Sequence, residues 1–281
     1  MASKGEIIER ALHALSAVDG VVSLSTVLGV DTGVSVAVGV DEEGKIKRHS
    51  VPRLPNLLIG GSTGTGKSNF LHALISSLMF TNTPEEMQFI LFDPKLVEFT
   101  VYNGLAHLYN RHVYQSEDMD YILDELYDEM NARFEIFQAC GVDNVFNYNE
   151  WASEAGAEKL PYLIVIVDEF MELYTDERID KMLRVLQKCR SAGIHFILAS
   201  QVPERCILVA PLRAYFTTKL IFATATVSQS WALLDKPVAV GLKVGEAYFR
   251  PPSGKMVKLK TPYAYFSDVK TIVEILREVY E

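Results

Sequence analysis

The chain has 281 residues, 49% of them hydrophobic, and a net charge of −9, so it can bury a sizeable core and is not a disordered tail. Its three cysteines (Cys140, Cys189 and Cys206) are scattered without CxxC spacing, which excludes a disulfide scaffold and a zinc ribbon and suits a reducing compartment. No apolar run approaches the roughly 20 residues of a membrane span, and charges interrupt the N-terminal MASKGEIIERALHAL, which is therefore no signal peptide; a soluble, cytoplasmic protein is expected.

Residues 3–17 read as a short amphipathic helix, and SVAVGV (35–40) and KIKRHSV (45–51) read as strands joined by the turn Asp41–Gly44. Five short, almost wholly apolar runs follow: NLLIGG (56–61), MQFILFD (87–93), YLIVIVDE (162–169), HFILAS (195–200) and TKLIFAT (218–224). Strands apolar on both faces belong to a parallel sheet covered by helices. Helical stretches lie between them at 67–80, 118–140 and 176–192. A helix at 227–235, strands at 246–250 and 256–260 and a last helix at 268–280 complete the chain. This βαβ alternation predicts an α/β domain over 53–281 with a largely parallel central sheet flanked by helices, preceded by a small helix/strand region at 1–52.

Gly61-Ser62-Thr63-Gly64-Thr65-Gly66-Lys67-Ser68 fits G-x-x-x-x-G-K-[ST], directly after the strand NLLIG and directly before a helix. Such a loop turns backbone N–H groups inward as an anion nest at a helix N-terminus. Lys67 would reach the β- and γ-phosphates of ATP, and Ser68 would offer a hydroxyl to Mg²⁺. The candidate nucleotide-binding residues are these eight and Asn69.

The run Leu163–Val167 ends in adjacent carboxylates, Asp168 and Glu169. At the C-terminal end of a parallel strand they would lie beside the phosphate loop. Asp168 would hold Mg²⁺ through its water shell, and Glu169 would polarise the water attacking the γ-phosphate. Ser200-Gln201 ends another apolar strand; Gln201 is either a sensor of the γ-phosphate or an ordinary loop amide. Asp93-Pro94-Lys95 ends the strand at 87–93, where proline stops the ladder. The six histidines show no ligand spacing, so no metal beyond nucleotide-bound Mg²⁺ is expected.

Two arginines fall on apolar helical stripes: Arg133 beside Phe134, and Arg190 after Ile179, Met182, Leu183 and Leu186. A desolvated arginine needs a partner, which is an internal carboxylate, a phosphate or a neighbouring subunit. Charge is also uneven. Residues 116–180 hold 18 acidic and 3 basic residues, whereas 236–260 holds six lysines and arginines against Glu246 alone. That asymmetry is compatible both with a polyanion on one face and with ordinary solvated surface.

From about residue 35 to 275 the chain resembles the motor domain of the FtsK/SpoIIIE family, within the FtsK–HerA group of P-loop ATPases. The resemblance is carried by LPNLLIGGSTGTGKSNFLHALISSL, FILFDPKLVEFTVYNGLAHL, EMNARFEIF with GVDNVFNYNE, PYLIVIVDEFMEL, KCRSAGIHFILASQVP and GEAYFRPPSGKMVKLKTPYAYFSD. It implies a RecA-like ATPase core that assembles as a ring, usually a hexamer, and pumps double-stranded DNA through a central channel. It also implies that Arg133, in Glu129-Met130-x-x-Arg133, completes the neighbouring subunit's site, with Arg190 as second candidate. Where the family has Gln-Arg-Pro, this chain has Gln201-Val202-Pro203. The membrane helices and winged-helix domain of the septal members are not in the sequence, so a minimal motor or an isolated motor fragment is expected. A type VII-like protein-secretion ATPase and an ATP-dependent coupling module that does not pump are the alternative expectations.

Overall fold

Short strands apolar on both faces have to be covered on both sides, and the arrangement follows from that requirement. The computed structural model describes residues 22–23, 35–50, 56–201 and 210–280. The helix expected at 3–17 and the boundary expected between residues 52 and 53 lie outside the described residues. Ten strands form one sheet: β1 (Ser35–Asp41), β2 (Ile46–Ser50), β3 (Leu57–Gly60), β4 (Met87–Phe92), β5 (Leu108–Tyr114), β6 (Tyr162–Val167), β7 (Ile194–Ser200), β8 (Thr218–Ile221), β9 (Glu246–Arg250) and β10 (Val257–Lys260). Their order is β2-β1-β10-β9-β8-β3-β7-β6-β4-β5. The six strands from β8 to β5 run parallel, and β9, β10, β1 and β2 add an antiparallel wing. The hairpin β1–β2 is hydrogen-bonded to β10, so the strands expected in the N-terminal region extend the same sheet.

The helices are α1 (Lys67–Thr81), α2 (Met119–Cys140), α3 (Val145–Ala155), α4 (Phe170–Leu173), α5 (Asp176–Leu186), α6 (Ala210–Arg213), α7 (Val227–Leu234) and α8 (Phe266–Tyr280). Alternation along the strands divides the core in two. Ile164 and Ile166 of β6 join Leu57 and Ile59 of β3 under α1 and α8. Leu163, Val165 and Val167 join Leu58 under α2 and α5. All six residues of β6 are buried, which explains its unbroken apolar run.

Three elements depart from the expected pattern. Strand β5, LYNRHVY, lies at the sheet edge with its middle exposed, so it carries no apolar run. Its Asn110 and Arg111 have φ of 53° and 55°, a local kink that also shifts the register with β4. Helix α3 is short and starts at Asn144, whose side chain accepts a hydrogen bond from the Asn147 N–H. The helix expected to reach residue 192 ends at Leu186. Turns follow, and the Ile194 N–H closes them onto the Cys189 carbonyl at 2.9 Å, delivering the chain into β7.

Candidate nucleotide-binding site

The phosphate loop leaves β3 at Gly60 and enters α1 at Lys67. Gly61 has φ 150°, and a Cβ there would come within 2.7 Å of the Phe222 Cβ, so only glycine lets the loop pass β8 this closely. Gly66 caps α1 in a left-handed conformation. The Ser62 N–H donates to the Ala223 carbonyl at 2.8 Å, and the Gly245 N–H donates to the Thr65 carbonyl at 3.0 Å. The loop is therefore held between the ends of β8 and β9 independently of any nucleotide.

Lys67 is buried, and its Nζ donates to the carbonyls of Gly61 (2.6 Å) and Ser62 (3.0 Å). Burial lowers its pKa, opposed by the charges of Glu169 and Asp168. Those two carboxylates thus stand near the loop lysine although β6 is not next to β3. Strand β7 lies between them, and it supplies the link. The Ser200 hydroxyl donates to Glu169 Oε1 at 2.8 Å, and the Gln201 N–H donates to Oε2 at 2.9 Å. The Thr63 hydroxyl in turn donates to the Gln201 Oε1 at 2.7 Å. The loop, the end of β7 and the residue after β6 are joined in one hydrogen-bonded chain.

Asp168 sits among carboxylates. Burial comes first, then the charges of Glu98, Asp93 and Glu169, and together they push its pKa up to about 7, against the pull of Lys67. Glu98 is a residue the motif reading missed, and the Asp93-Pro94-Lys95 turn explains how it arrives. The buried Asp93 carboxylate accepts from the N–H groups of Lys95 (3.2 Å), Glu98 (2.8 Å) and Phe99 (2.9 Å), folding the segment after β4 back over α1. Glu98 then faces His72 and the Ser68 hydroxyl, and both lower its pKa, His72 most. His72 Nε2 lies 3.5 Å from the Glu98 carboxylate, while its Nδ1 shares a hydrogen bond with the Tyr102 hydroxyl at 3.0 Å. A signal for Glu98 was present in the sequence, as the carboxylate five residues beyond Asp93, but only the turn gives that spacing meaning. Lys95 bridges to Glu172 of α4 at 2.6 Å.

The donor chemistry suits Mg²⁺: a serine hydroxyl and two nearby carboxylates, all oxygen, with an excess of negative charge. Among the described residues no group of three His, Cys, Asp or Glu side chains could hold a metal alone. Magnesium commonly takes one or two carboxylates and completes its shell with substrate phosphates and water, so the fit is to a nucleotide-borne ion.

Two expected site residues have their side chains engaged inside the fold. Asn69 Nδ2 donates to the Ala264 carbonyl at 2.7 Å and its Oδ1 accepts from the Ala264 N–H at 3.0 Å. Its side chain clamps α1 to the segment before α8. Arg133 is tied within its own chain. It is 2% exposed, its Nε donates to Glu129 Oε1 at 2.7 Å, and its Nη1 donates to the carbonyls of Pro161 (2.8 Å) and Ala192 (2.9 Å). Those carbonyls precede β6 and β7, at the end of the sheet away from the phosphate loop. Arg190 lies exposed beyond α5 and is not on the buried stripe.

The FtsK/SpoIIIE family matches residues 31–205. The chain belongs to this family. It is 32% identical over 267 residues to the DNA translocase FtsK of Vibrio parahaemolyticus, covering 85% of this chain and 26% of that protein. It thus spans about a quarter to a third of the length of the curated relatives it matches. Among solved structures, the cytoplasmic domain of the Thermomonospora curvata type VII secretion ATPase EccC superposes with a TM-score of 0.76 at 23% identity, covering 92% of this chain and 34% of that one. The conjugation coupling protein TcpA of pCW3, solved as a monomer with ATPγS, superposes with a TM-score of 0.75 at 20% identity, covering 95% of this chain and 74% of that one. These likenesses establish the P-loop ATPase fold expected from the strand pattern. Membership of the family and the phosphate loop together make the chain an ATPase.

Proposed function

We propose that this chain is the ATP-hydrolysing motor of a translocase acting on double-stranded DNA. The observation that carries the reading is the link from Thr63 through Gln201 to Glu169, beside the buried Lys67. A nucleotide-sensing loop tied directly to a strand-end carboxylate is what a hydrolysis cycle coupled to movement requires. Lys67 leaves the Gly61 and Ser62 carbonyls to meet the β- and γ-phosphates. Ser68 and Asp168 would hold the nucleotide's Mg²⁺, which would supply charge neutralisation at the phosphates. Glu169, oriented by Ser200 and the Gln201 backbone, takes the proton of the attacking water. Gln201 reports the γ-phosphate to Thr63.

DNA as the pumped substrate is supported by the FtsK relatives and by the basic wing. Lys236, Lys243, Lys255 and Lys260 are exposed there. A ring, most simply a hexamer, would repeat that wing around a channel and place the acidic α2–α5 region outside it. A cytoplasmic motor follows from the same reading; among the described residues no helix is long and apolar enough to cross a membrane. The test is the rate of ATP hydrolysis with and without double-stranded DNA across a salt series. DNA should raise turnover, and the effect should fade steeply and linearly in log salt. No binding at low salt and no change in turnover would remove DNA from the reading.

A further inference from the structure

The phosphate loop has two edges. On one side stands β7, with Glu169 beyond it at the end of β6; on the other stand β8, then β9 and β10. Gln201 and Glu169 mark the γ end of the nucleotide, so its nucleoside leaves the loop over the opposite edge. The residues described above hold phosphate and metal, and none of them holds the base.

Two segments are built onto that opposite edge. The first is the turn Lys243–Glu246, which leads into β9. The Glu246 N–H donates to the Lys243 carbonyl at 3.0 Å, and the Lys243 N–H donates to the Glu246 carboxylate at 3.0 Å. Gly245 has φ 79°, the left-handed value that such a turn needs at its third position. Its N–H donates to the Thr65 carbonyl at 3.0 Å, and a Cβ on Gly66 would stand 3.3 Å from its nitrogen, so the turn lies directly against the end of the loop. The second segment joins β10 to α8. Thr261 donates to the Gly245 carbonyl through both its N–H (2.8 Å) and its hydroxyl (3.0 Å). Asn69, the residue after Ser68, bonds both the N–H and the carbonyl of Ala264. Loop, turn and segment are thereby joined into one rim.

The rim presents apolar side chains. Val244 stands at the tip of the turn, 73% exposed, and Tyr263, next to the clamped Ala264, is 40% exposed. The turn is held by Gly245 and Glu246 and the segment by Thr261 and Ala264, so neither bond network uses these two side chains. The Tyr263 ring meets Tyr265 at 64° with centroids 4.8 Å apart and keeps its exposure. A lone exposed apolar side chain is ordinary. Here two stand on segments bonded to each other and to the same loop, at the edge where a nucleoside emerges. A tyrosine ring beside an aliphatic side chain suits a flat heterocycle, since every base has a π-face. The rim is also assembled before any ligand arrives, which lowers the cost of binding.

We propose that Val244 and Tyr263 form the platform that holds the nucleoside base of ATP. The proposal rests on the reading of the loop as the ATP site, and the test separates the two. Binding is measured on the full chain with ADP, which carries the base and is not turned over, and with pyrophosphate, which lacks the base, in competition with ADP. Tyr263→Ala should weaken ADP binding by about 5–100-fold, while Tyr263→Phe should stay within about threefold of the unsubstituted chain. Val244→Ala should weaken it by about 3–10-fold. Pyrophosphate affinity should be unchanged in all three variants. The platform is overturned, and the phosphate loop left standing, if the unsubstituted chain binds ADP no more tightly than pyrophosphate, or if Tyr263→Ala binds ADP within about threefold of it. A Tyr263→Phe chain as weak as Tyr263→Ala overturns the platform too, because the ring is then not what binds. Equal losses of ADP and pyrophosphate mean a displaced loop instead of a lost base contact, and also overturn it. If the unsubstituted chain binds neither compound, the loop reading itself falls and takes the platform with it.

Discussion

Arg133→Ala separates two readings of the same residue. The family resemblance makes it a phosphate contact in trans, whereas the structure makes it an internal tie. Its guanidinium bonds one carboxylate and two backbone carbonyls from a position 2% exposed. Burial pulls its pKa down, opposed by the Glu129 carboxylate. Removing the guanidinium strips a donor from the Pro161 and Ala192 carbonyls, at about 1–3 kcal/mol each, while Glu129, 36% exposed, regains water, so about 3–5 kcal/mol is lost in all. Each kcal/mol moves the melting midpoint of a domain this large by about 2–4 °C, so a fall of about 6–20 °C is expected. Arg133→Lys keeps the charge but lacks the fork that reaches all three acceptors, and should fall between Ala and wild type. Urea unfolding gives the free energy, and ATP turnover per folded molecule is measured at a temperature where both proteins are folded. Turnover per folded molecule should fall only together with that loss of stability. Stability within about 0.5 kcal/mol of wild type, together with abolished turnover, would refute the internal tie and restore the trans contact.

Glu169→Gln should bind ATP and hydrolyse it about 10²–10⁴-fold more slowly, while Ser200→Ala, which removes one hydrogen bond to that carboxylate, should cost about tenfold in turnover with nucleotide affinity unchanged; equal losses from both would show that Glu169 has no chemical role beyond its bond to Ser200. Glu98→Gln should weaken nucleotide binding about 10–100-fold in the presence of Mg²⁺ and leave binding in EDTA unchanged, as read by a fluorescent nucleotide; a loss of the same size in EDTA would make Glu98 a purely structural residue. Asp168 has a folded pKa of about 7 against an ordinary 3.8, so the nucleotide-free folded state holds a proton that the unfolded chain has released. Its contribution to stability therefore falls as pH rises from about 4 to 7, and Asp168→Asn should flatten that part of the melting-temperature profile; an unchanged profile would mean Asp168 is ionised throughout.

The parallel half of the fold was legible because its strands are buried on both faces. Runs such as LIVIV admit few other readings, and the loop GSTGTGKS announces both a turn and a helix start. The edge strand β5 was not legible, since one exposed face and two left-handed residues remove its periodicity. At the site, Lys67 is read from the phosphate-loop motif and Asp168, Glu169 and Gln201 from their positions at strand ends, and the structure brings them together. Glu98 and His72 do not stand out in the sequence, and Ser200 stands out only as the neighbour of Gln201, because their roles depend on contacts between segments distant in the chain. Asn69 was included for standing next to the loop in sequence, yet a helix turns each successive residue by about 100°, and its side chain meets Ala264 instead. The stripe on α2 correctly signalled that Arg133 needs a partner. It could not distinguish an outer phosphate from carbonyls supplied by β6 and β7.

Arg133 and Glu169 nonetheless belong to one device. Arg133 ties α2 to the carbonyls of Pro161 and Ala192, just before β6 and β7, and Glu169, just after β6, is bound by Ser200, the last residue of β7, and by Gln201. Six residues of β6 separate the two ends, about 20 Å at strand spacing. A buried tie at the start fixes the register in which β6 and β7 pair, and that register sets whether Ser200 stands opposite the Glu169 carboxylate. The arginine can therefore matter to hydrolysis without touching a phosphate, through the placement of the carboxylate at the far end of the strand. Such an effect would show as lost stability and lost turnover together, with nucleotide affinity preserved in the folded molecules. A trans contact would show lost turnover alone.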